Sequence, residues 1–348
     1  MKSVISVIIL TYKRAYILKY VLEGLKKQTY ENFEVIVVLK PGGDETKEIL
    51  EEYSKDIPLT IVIQNSGFVT DAYNLGLAEA NGEIIAFLDD DAVPHPNWLE
   101  EHVNTYNKYN GVGGVSGITT SAKITENGEL KQIPEDSVYP YGRKTKYYDF
   151  PWSRPLTGMS GLLIYFGRDG LVHHHPRLED ENLHGIFPSL LHMGANMSVK
   201  KEAIERINEN SLMGFAFEQL LSYQIWHRGY KLLYNTSAKV LHLVHKESTG
   251  RFFQSPSRAA LRDAEYVLTF FNLKSEEKEV FWVAYFLGFV MLVISRLLRG
   301  RDYGFSISMH RIYGLLYGFV VGCASVISHA FGGKFSVRNS LKKLLNSS

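Results

Sequence analysis

The chain has 348 residues, 45% of them hydrophobic, and a formal net charge of +1. That length holds one large domain or two smaller ones with a sizeable core, while the near-neutral balance offers no basic excess for phosphates and excludes a general nucleic-acid binder. Cys323 is the single cysteine, which excludes an intrachain disulfide and a cysteine metal site.

The N-terminal stretch MKSVISVIILTYKR has only a short apolar run, interrupted by Ser6, and no small-residue cleavage site follows it. It reads as a buried strand over residues 5–10 rather than a signal peptide. Ile17, Leu18, Val21, Leu22 and Leu25 then recur at helical spacing. Residues 33–39 predict a second strand, Pro41-Gly42-Gly43 a turn, 46–53 a helix, 59–63 a strand, 71–80 a helix and 84–88 a fourth strand. Strands alternating with helices predict an α/β fold with a mainly parallel sheet covered on both faces. Ligands of such sheets bind beyond the carboxyl ends of the strands, where Thr11 and Asp89 fall.

After about Gly117 the rhythm breaks into a polar, aromatic, turn-rich stretch. An apolar run follows at 191–199, then a helix near 215–227 and a strand near 238–244. A basic, polar connector near 246–262 leads to two apolar segments, 280–298 and 312–331, each near the length of a membrane span. The expected organisation is a first half of the α/β domain at 1–116, a second half at 117–250, a connector at 251–278 and a membrane-associated helical hairpin with a basic tail at 279–348. Two true spans would put Arg299, Arg301 and Arg311 in the outer loop, against the positive-inside tendency. A re-entrant or interfacial hairpin is the alternative; the length of 280–298 tilts the expectation toward spans.

Three consecutive carboxylates, Asp89, Asp90 and Asp91, end the fourth strand. Two carboxylates ~5 Å apart repel by roughly 3 kcal/mol at an effective dielectric of 20. Asp89-x-Asp91 is a hard-oxygen pair suited to Mg2+ or Mn2+ held jointly with phosphates. A helix cap by Asp91 or Asn97 is the simpler alternative. His173-His174-His175 reads as a solvated loop, since consecutive side chains diverge and no ligand stands at a metal spacing. The acidic run Glu179, Asp180, Glu181 reads likewise.

The stretches VISVIILTYKRAYILKYVLEGLKKQTYENFEVIVV, NLGLAEANGEIIAFLDDDAVPHPNWLEEHV, MGANMSVKKEAI and YKLLYNTSAKVLHLVH resemble the family-2 glycosyltransferases, which have the GT-A fold. The resemblance implies transfer of one sugar, with inversion, from a UDP- or GDP-sugar donor, and a divalent cation. By position it implies that Thr11, Tyr12, Arg14, Asp89 and Asp90 meet the nucleotide-sugar. Asp91, Asp89 and His242 would hold the metal, and Gly194, Ala195 and Asn196 would lie near the sugar and acceptor. Glu218 takes the place of the catalytic base, at the second position of a pair that here reads Phe217-Glu218.

The chain departs from the family pattern elsewhere. Leu39 and Lys40 stand where an acid commonly reads the base, Asp44 comes too late, and Tyr73 replaces an arginine. The processive signature is only echoed at 224–228. His245 should lie on the strand face opposite His242 by alternation. A nucleotide-sugar enzyme with an apolar tail is expected at a membrane, facing the cytoplasm, with a lipid-linked acceptor such as a polyprenyl phosphate or lipid-linked glycan. A nucleotidyltransferase on a similar sheet and a non-catalytic membrane scaffold are the competing readings. The first would need a glycine-rich loop after the first strand, and Leu10 to Arg14 contains no glycine.

Overall fold

A computed structural model of the chain describes residues 5–134, 154–180, 182–191, 194–204, 207, 211–215, 217–245, 255–274, 282–298 and 305–346. Glu181, Arg299 and Arg301 lie outside the described residues. The chain divides into two units. The first comprises Met1–Thr145, Pro176–Ile207 and Leu221–His245; the second comprises Lys146–His175, Asn208–Leu220 and Lys246–Ser348.

The first unit opens with β1 (Ile5–Thr11), α1 (Ala15–Lys26), β2 (Phe33–Leu39), α2 (Thr46–Tyr53), β3 (Leu59–Ile63), α3 (Val69–Glu79) and β4 (Ile84–Phe87). Then come β5 (Ala92–Pro94), α4 (Trp98–Lys108), β6 (Val112–Ile124) and β7 (Leu130–Gln132). β1 pairs in parallel with both β2 and β4, and β2 with β3. The near-continuous Val/Ile/Leu runs of β1 and β2 are those of strands buried on both faces. Helix α1 buries Ile17, Leu18, Val21, Leu22 and Leu25 against this sheet, each worth roughly 1.5–3 kcal/mol of apolar burial.

In the second unit, β8 (Ile164–Phe166) and β9 (Val172–His174) form a separate antiparallel pair. The first unit resumes with β10 (Ile186–Pro188) and β11 (Met197–Lys200), and α5 (Phe217–His227) begins in the second unit and ends in the first. β12 (Lys231–Leu243) completes the large sheet, whose order is β10-β12-β6-β11-β4-β1-β2-β3, with β5 also on β12 and β7 on β6. β11 runs antiparallel between β4 and β6, so the sheet is mixed in this half.

β6 and β12 are both thirteen residues long and parallel. β6 begins Val112-Gly113-Gly114-Val115-Ser116-Gly117, a composition that hides a strand from propensity. Its glycines have a packing reason: a Cβ on Gly117 would run into the Ala238 carbonyl of β12.

The second unit also carries α6 (Pro256–Lys274), α7 (Trp282–Leu298), α8 (Phe305–Ala330) and α9 (Val337–Asn346). The polar stretch read as a connector is therefore helical from Pro256. Asp263, with a side chain only 2% exposed, holds Arg296 of α7 at 3.1 Å and Arg311 of α8 at 2.7 Å. Helix α8 is long and apolar enough to cross a membrane by length and composition, while α7 is shorter. The second unit corrects one expectation: His173 is not a solvated loop residue. It is buried on β9, its Nε2 3.0 Å from Asp169 and its ring stacked on Tyr165 at 5.7 Å.

Candidate active site

Three adjoining chain segments build the site. β1 and β4 end side by side, with Ile8 opposite Phe87 and the Leu88 amide bonded to the Ile8 carbonyl. The residues after β1 and after β4 therefore emerge at one sheet edge. β5 then turns back to pair antiparallel with β12, placing Ala92 opposite His242. This short strand, too brief for any periodicity to announce, carries the C-terminal end of β12 to the aspartates.

Asp89, Asp91 and His242 converge: one ligand atom from each lies within 4.8 Å of the others. His242 Nε2 is 3.2 Å from Asp91 Oδ1 and 3.9 Å from Asp89 Oδ2. The Asp89 side chain is 41% exposed and that of Asp91 only 8%, so Asp89 is the open side of the cluster. The residues present fit a divalent cation: two hard carboxylate oxygens and an imidazole nitrogen within one ion's reach. Asp91 is fit to serve as an anion. Burial works to raise its carboxyl, but the His245 hydrogen bond and the charges of His242 and Arg14 outweigh it and hold it below the usual carboxylate range.

His245 is a site residue that strand alternation missed. β12 ends at Leu243, so alternation no longer governs two residues later. The Leu243 amide bonds the Asp91 carbonyl and the Val244 amide bonds Ala122, and His245 turns its Nε2 to 3.0 Å from Asp91 Oδ2. His242 and His245 thus meet the two oxygens of one carboxylate. Only a strand end between them, not visible in the alternating pattern, would have revealed it.

Arg14 is buried beneath the aspartates. Its guanidinium stands 3.5 Å from Asp90, 3.7 Å from Asp91, and against the His245 ring at 2.8 Å. Lys13 has φ of 55°, the one non-glycine residue in the left-handed region among the described residues. That twist lets Arg14 turn inward while Tyr12, 38% exposed, turns outward with Lys13 and Lys40 over its ring. Thr11 Oγ1 is buried without a hydrogen-bond partner among the described residues, an acceptor and donor left for a ligand. Asp44 does not reach for a base: its carboxylate accepts the Ala15 amide and the Thr46 hydroxyl at the start of α1.

The remaining expected residues are Gly194, Ala195, Asn196 and Glu218. Gly194 and Ala195 are buried just before β11. Asn196 is fully buried, and its side chain is turned into the protein rather than toward a sugar. Its Oδ1 accepts from Trp98 Nε1 at 2.8 Å and from His102 Nε2 at 3.2 Å; its Nδ2 donates to the carbonyls of Ile118 and Ala238, both at 2.9 Å. An amide has two acceptor sites and two donor hydrogens, and all four are used. The His102 ring also meets Ser198 Oγ at 2.8 Å. Burial pulls the His102 imidazole down to about 4, against the Asn196 hydrogen bond that raises it. Glu218 stands half-buried in the first turn of α5, in the second unit.

Comparison with known proteins follows the same line. Residues 6–168 match the family model described as Glycosyl transferase family 2. Glycosyltransferase AglE of Haloferax volcanii is 37% identical over 106 residues, 29% of this chain and 34% of that protein. Putative glycosyltransferase EpsH of Bacillus subtilis is 31% identical over 102 residues, 29% of this chain and 30% of its own length. Glucosyl-dolichyl phosphate glucuronosyltransferase of Haloferax volcanii is 25% identical over 142 residues, 40% of this chain and 44% of that protein. The chain therefore spans less than half the length of each of these relatives. Among solved structures, the mannosyltransferase PcManGT from Pyrobaculum calidifontis, in complex with GDP-Man and Mn2+, superposes with a TM-score of 0.51 at 16% identity. That match covers 99% of this chain and 79% of PcManGT. GalNAc-T7 with UDP, GalNAc and Mn2+ superposes at 0.58 and 16% identity, over 94% of this chain and 58% of that one. At such identities the likeness is one of fold, and the fold is of the GT-A type.

Proposed function

We propose, from the match of residues 6–168 to the Glycosyl transferase family 2 model, that this chain moves one sugar from a nucleotide-diphosphate donor to an acceptor hydroxyl with inversion. The convergence of Asp89, Asp91 and His242 at the carboxyl edge of the parallel strands carries the reading. When bound there, Mg2+ or Mn2+ supplies positive charge to the diphosphate leaving group. Asp91 is held ionised and oriented by Arg14 and His245, and Asp89 offers the open ligand. Thr11 and the outward Tyr12, flanked by Lys13 and Lys40, suit the nucleotide of a UDP- or GDP-sugar.

Glu218 accepts the acceptor's proton as the new bond forms between acceptor oxygen and anomeric carbon. The bond from that carbon to the diphosphate oxygen breaks in the same displacement, and nucleoside diphosphate leaves. Residues 194–196 act on the acceptor side through the position of their backbone. The acceptor is lipid-linked, a polyprenyl phosphate or a lipid-linked glycan, reached at the cytoplasmic face of a membrane. The apolar α7 and α8 support this, as does the relative named for a dolichyl phosphate substrate.

Detergent-solubilised protein with Mn2+ is incubated with a panel of UDP- and GDP-sugars, with and without a membrane lipid extract. Lipid-dependent release of one nucleoside diphosphate, lost in Asp91→Ala and Glu218→Gln, is expected. Release that survives Glu218→Gln moves the base elsewhere. Release of sugar 1-phosphate, with the nucleoside monophosphate transferred, refutes sugar transfer in favour of nucleotidyl transfer, and absence of donor binding refutes catalysis altogether.

A further inference from the structure

The apolar C-terminal helices of the second unit expose the wrong side for a folded interior. Val326 is exposed off the main line of α8; the other large exposed apolar side chains of the helix are Phe305, Met309, Tyr313, Leu316, Val320 and Ile327. At 100° per residue these fall within about 40° of one line down the helix. The opposite line is the buried one, with Arg311, Gly314, Gly318 and Gly322. Helix α7 repeats the pattern: Val283, Leu287, Val290, Ile294 and Leu298 are exposed along one stripe, and Tyr285 and Phe289 are buried behind it. Both helices therefore turn a stripe of large apolar residues outward, and α8 turns Arg311 and its glycines inward.

What lies behind α8 decides how a bilayer can meet this stripe. Helix α6 packs along it so closely that a Cβ on Gly314 would strike the Ala260 carbonyl, one on Gly318 the Ala264 carbonyl, and one on Gly322 the Phe271 ring. Gly318 is midway along α8. Were α8 to cross a membrane, Ala264 would sit at the bilayer centre, and with it Asp263 and Glu265. Asp263 is tied to Arg296 and Arg311. Glu265 accepts from the backbone amides of Leu212, Met213 and Phe215 and from the Ser211 hydroxyl. A non-helical loop would thus be carried to the depth of hydrocarbon, where irregular backbone is tolerated only inside protein or a water-filled cavity, and charges are costly. The charge pattern points the same way. No Asp or Glu follows Asp302, while Lys334, Arg338, Lys342 and Lys343 follow α8. Lys334 and Lys343 are exposed, as are Phe331 and Phe335 between the helices.

We infer that α7 and α8 lie in the plane of an anionic bilayer surface, with the exposed stripe of α8 sunk to one shallow depth and α6 held on the water side. This rests on the membrane reading above and goes beyond it, since it assigns α8 to the interface despite a length sufficient to span.

The test uses the full chain in a Cys323→Ser background, with single cysteines placed at Met309, Leu316, Val320 and Ile327 and spin-labelled. Vesicles are three parts phosphatidylcholine to one part phosphatidylglycerol, with pure phosphatidylcholine as the comparison. Depth is read from collision with oxygen against a water-soluble nickel chelate. The expected result is one depth, ~5–10 Å, at all four positions. Binding should be at least tenfold weaker on pure phosphatidylcholine, and weaker by a similar factor in Lys334→Glu/Lys343→Glu on the anionic vesicles. A depth that rises to ~15 Å at Leu316 and Val320 and falls toward Met309 and Ile327 overturns the in-plane arrangement while leaving the membrane reading intact. Failure to bind either vesicle overturns both. Labels immobilised without vesicles, together with a stable dimer, assign the stripe to a second copy instead.

Discussion

The His102 imidazole should make the site's scaffold sensitive to mild acid. Its folded value, about 4, lies below the ordinary 6.5 because burial disfavours the charged ring. A group depressed on folding contributes stability that is present above its unfolded value and lost as the pH falls toward its folded one. Across that gap the total is about 3 kcal/mol, of which about 2 kcal/mol is gone at pH 5. The loss falls on the cluster that includes Trp98, Asn196, Ser198 and Tyr106, which fastens β11 to α4. Hydrogen exchange of the α4 and β11 amides, corrected for intrinsic rates, should report opening that becomes easier by that amount between pH 7.5 and pH 5. In His102→Phe two hydrogen bonds disappear, costing about 1 kcal/mol each at pH 7.5, but no proton can enter. The gap between variant and wild type should therefore close, or reverse, at pH 5. A gap that stays constant between the two pH values refutes the assignment of the acid sensitivity to this ring.

In the second unit, Asp263→Ala leaves the guanidinium groups of Arg296 and Arg311 facing an alanine, and should cost about 3–5 kcal/mol. Thermal unfolding of the single variant should recover most of this loss when Arg296→Met and Arg311→Met are added. Glu265→Gln keeps the side chain's volume but turns an amide NH2 toward two of the four donors from residues 211–215. A loss of about 2–3 kcal/mol is expected, seen as faster proteolysis within that loop and as lower kcat at unchanged donor KM, because the loop leads into the turn bearing Glu218.

The first half of the fold was legible because its signals are local. Val/Ile runs at strand length and the Ile17–Leu25 repeat at helical spacing need no distant partner to be recognised. β6 and β12 were not legible at full length. Gly117 of β6 is explained by the backbone of β12, more than a hundred residues later in sequence, and no local window contains that reason. The Asp-x-Asp pair was singled out by its place after a strand, and His242 by the family resemblance alone. His245 was not, because the alternation rule holds only while the strand lasts. Asn196 shows the opposite limit: the resemblance puts it near the sugar, yet its amide is spent on Trp98, His102 and two carbonyls. His173 likewise took its partner, Asp169, from a turn that a run of three histidines does not reveal.

The three carboxylates can share one strand end because the chain supplies one fixed countercharge and leaves the rest to a ligand. Ionised, Asp89, Asp90 and Asp91 bring three negative charges, and buried Arg14 returns one positive charge at 3.5 Å from Asp90 and 3.7 Å from Asp91. Counting the carboxylates and Arg14 alone, two negative charges remain, the complement of a divalent cation. At such distances each pairing is worth up to about 5 kcal/mol at an effective dielectric of 20, before desolvation is counted. Arg14→Met should therefore lower the melting temperature of the metal-free protein, since the buried Asp91 loses a counter-ion. It should also enlarge the rise in melting temperature on adding Mn2+, because the cation then relieves a larger excess of charge. An Arg14→Met protein whose metal-free melting temperature falls but whose response to Mn2+ stays at the wild-type value would mean that Arg14 only packs the site and takes no part in its charge balance.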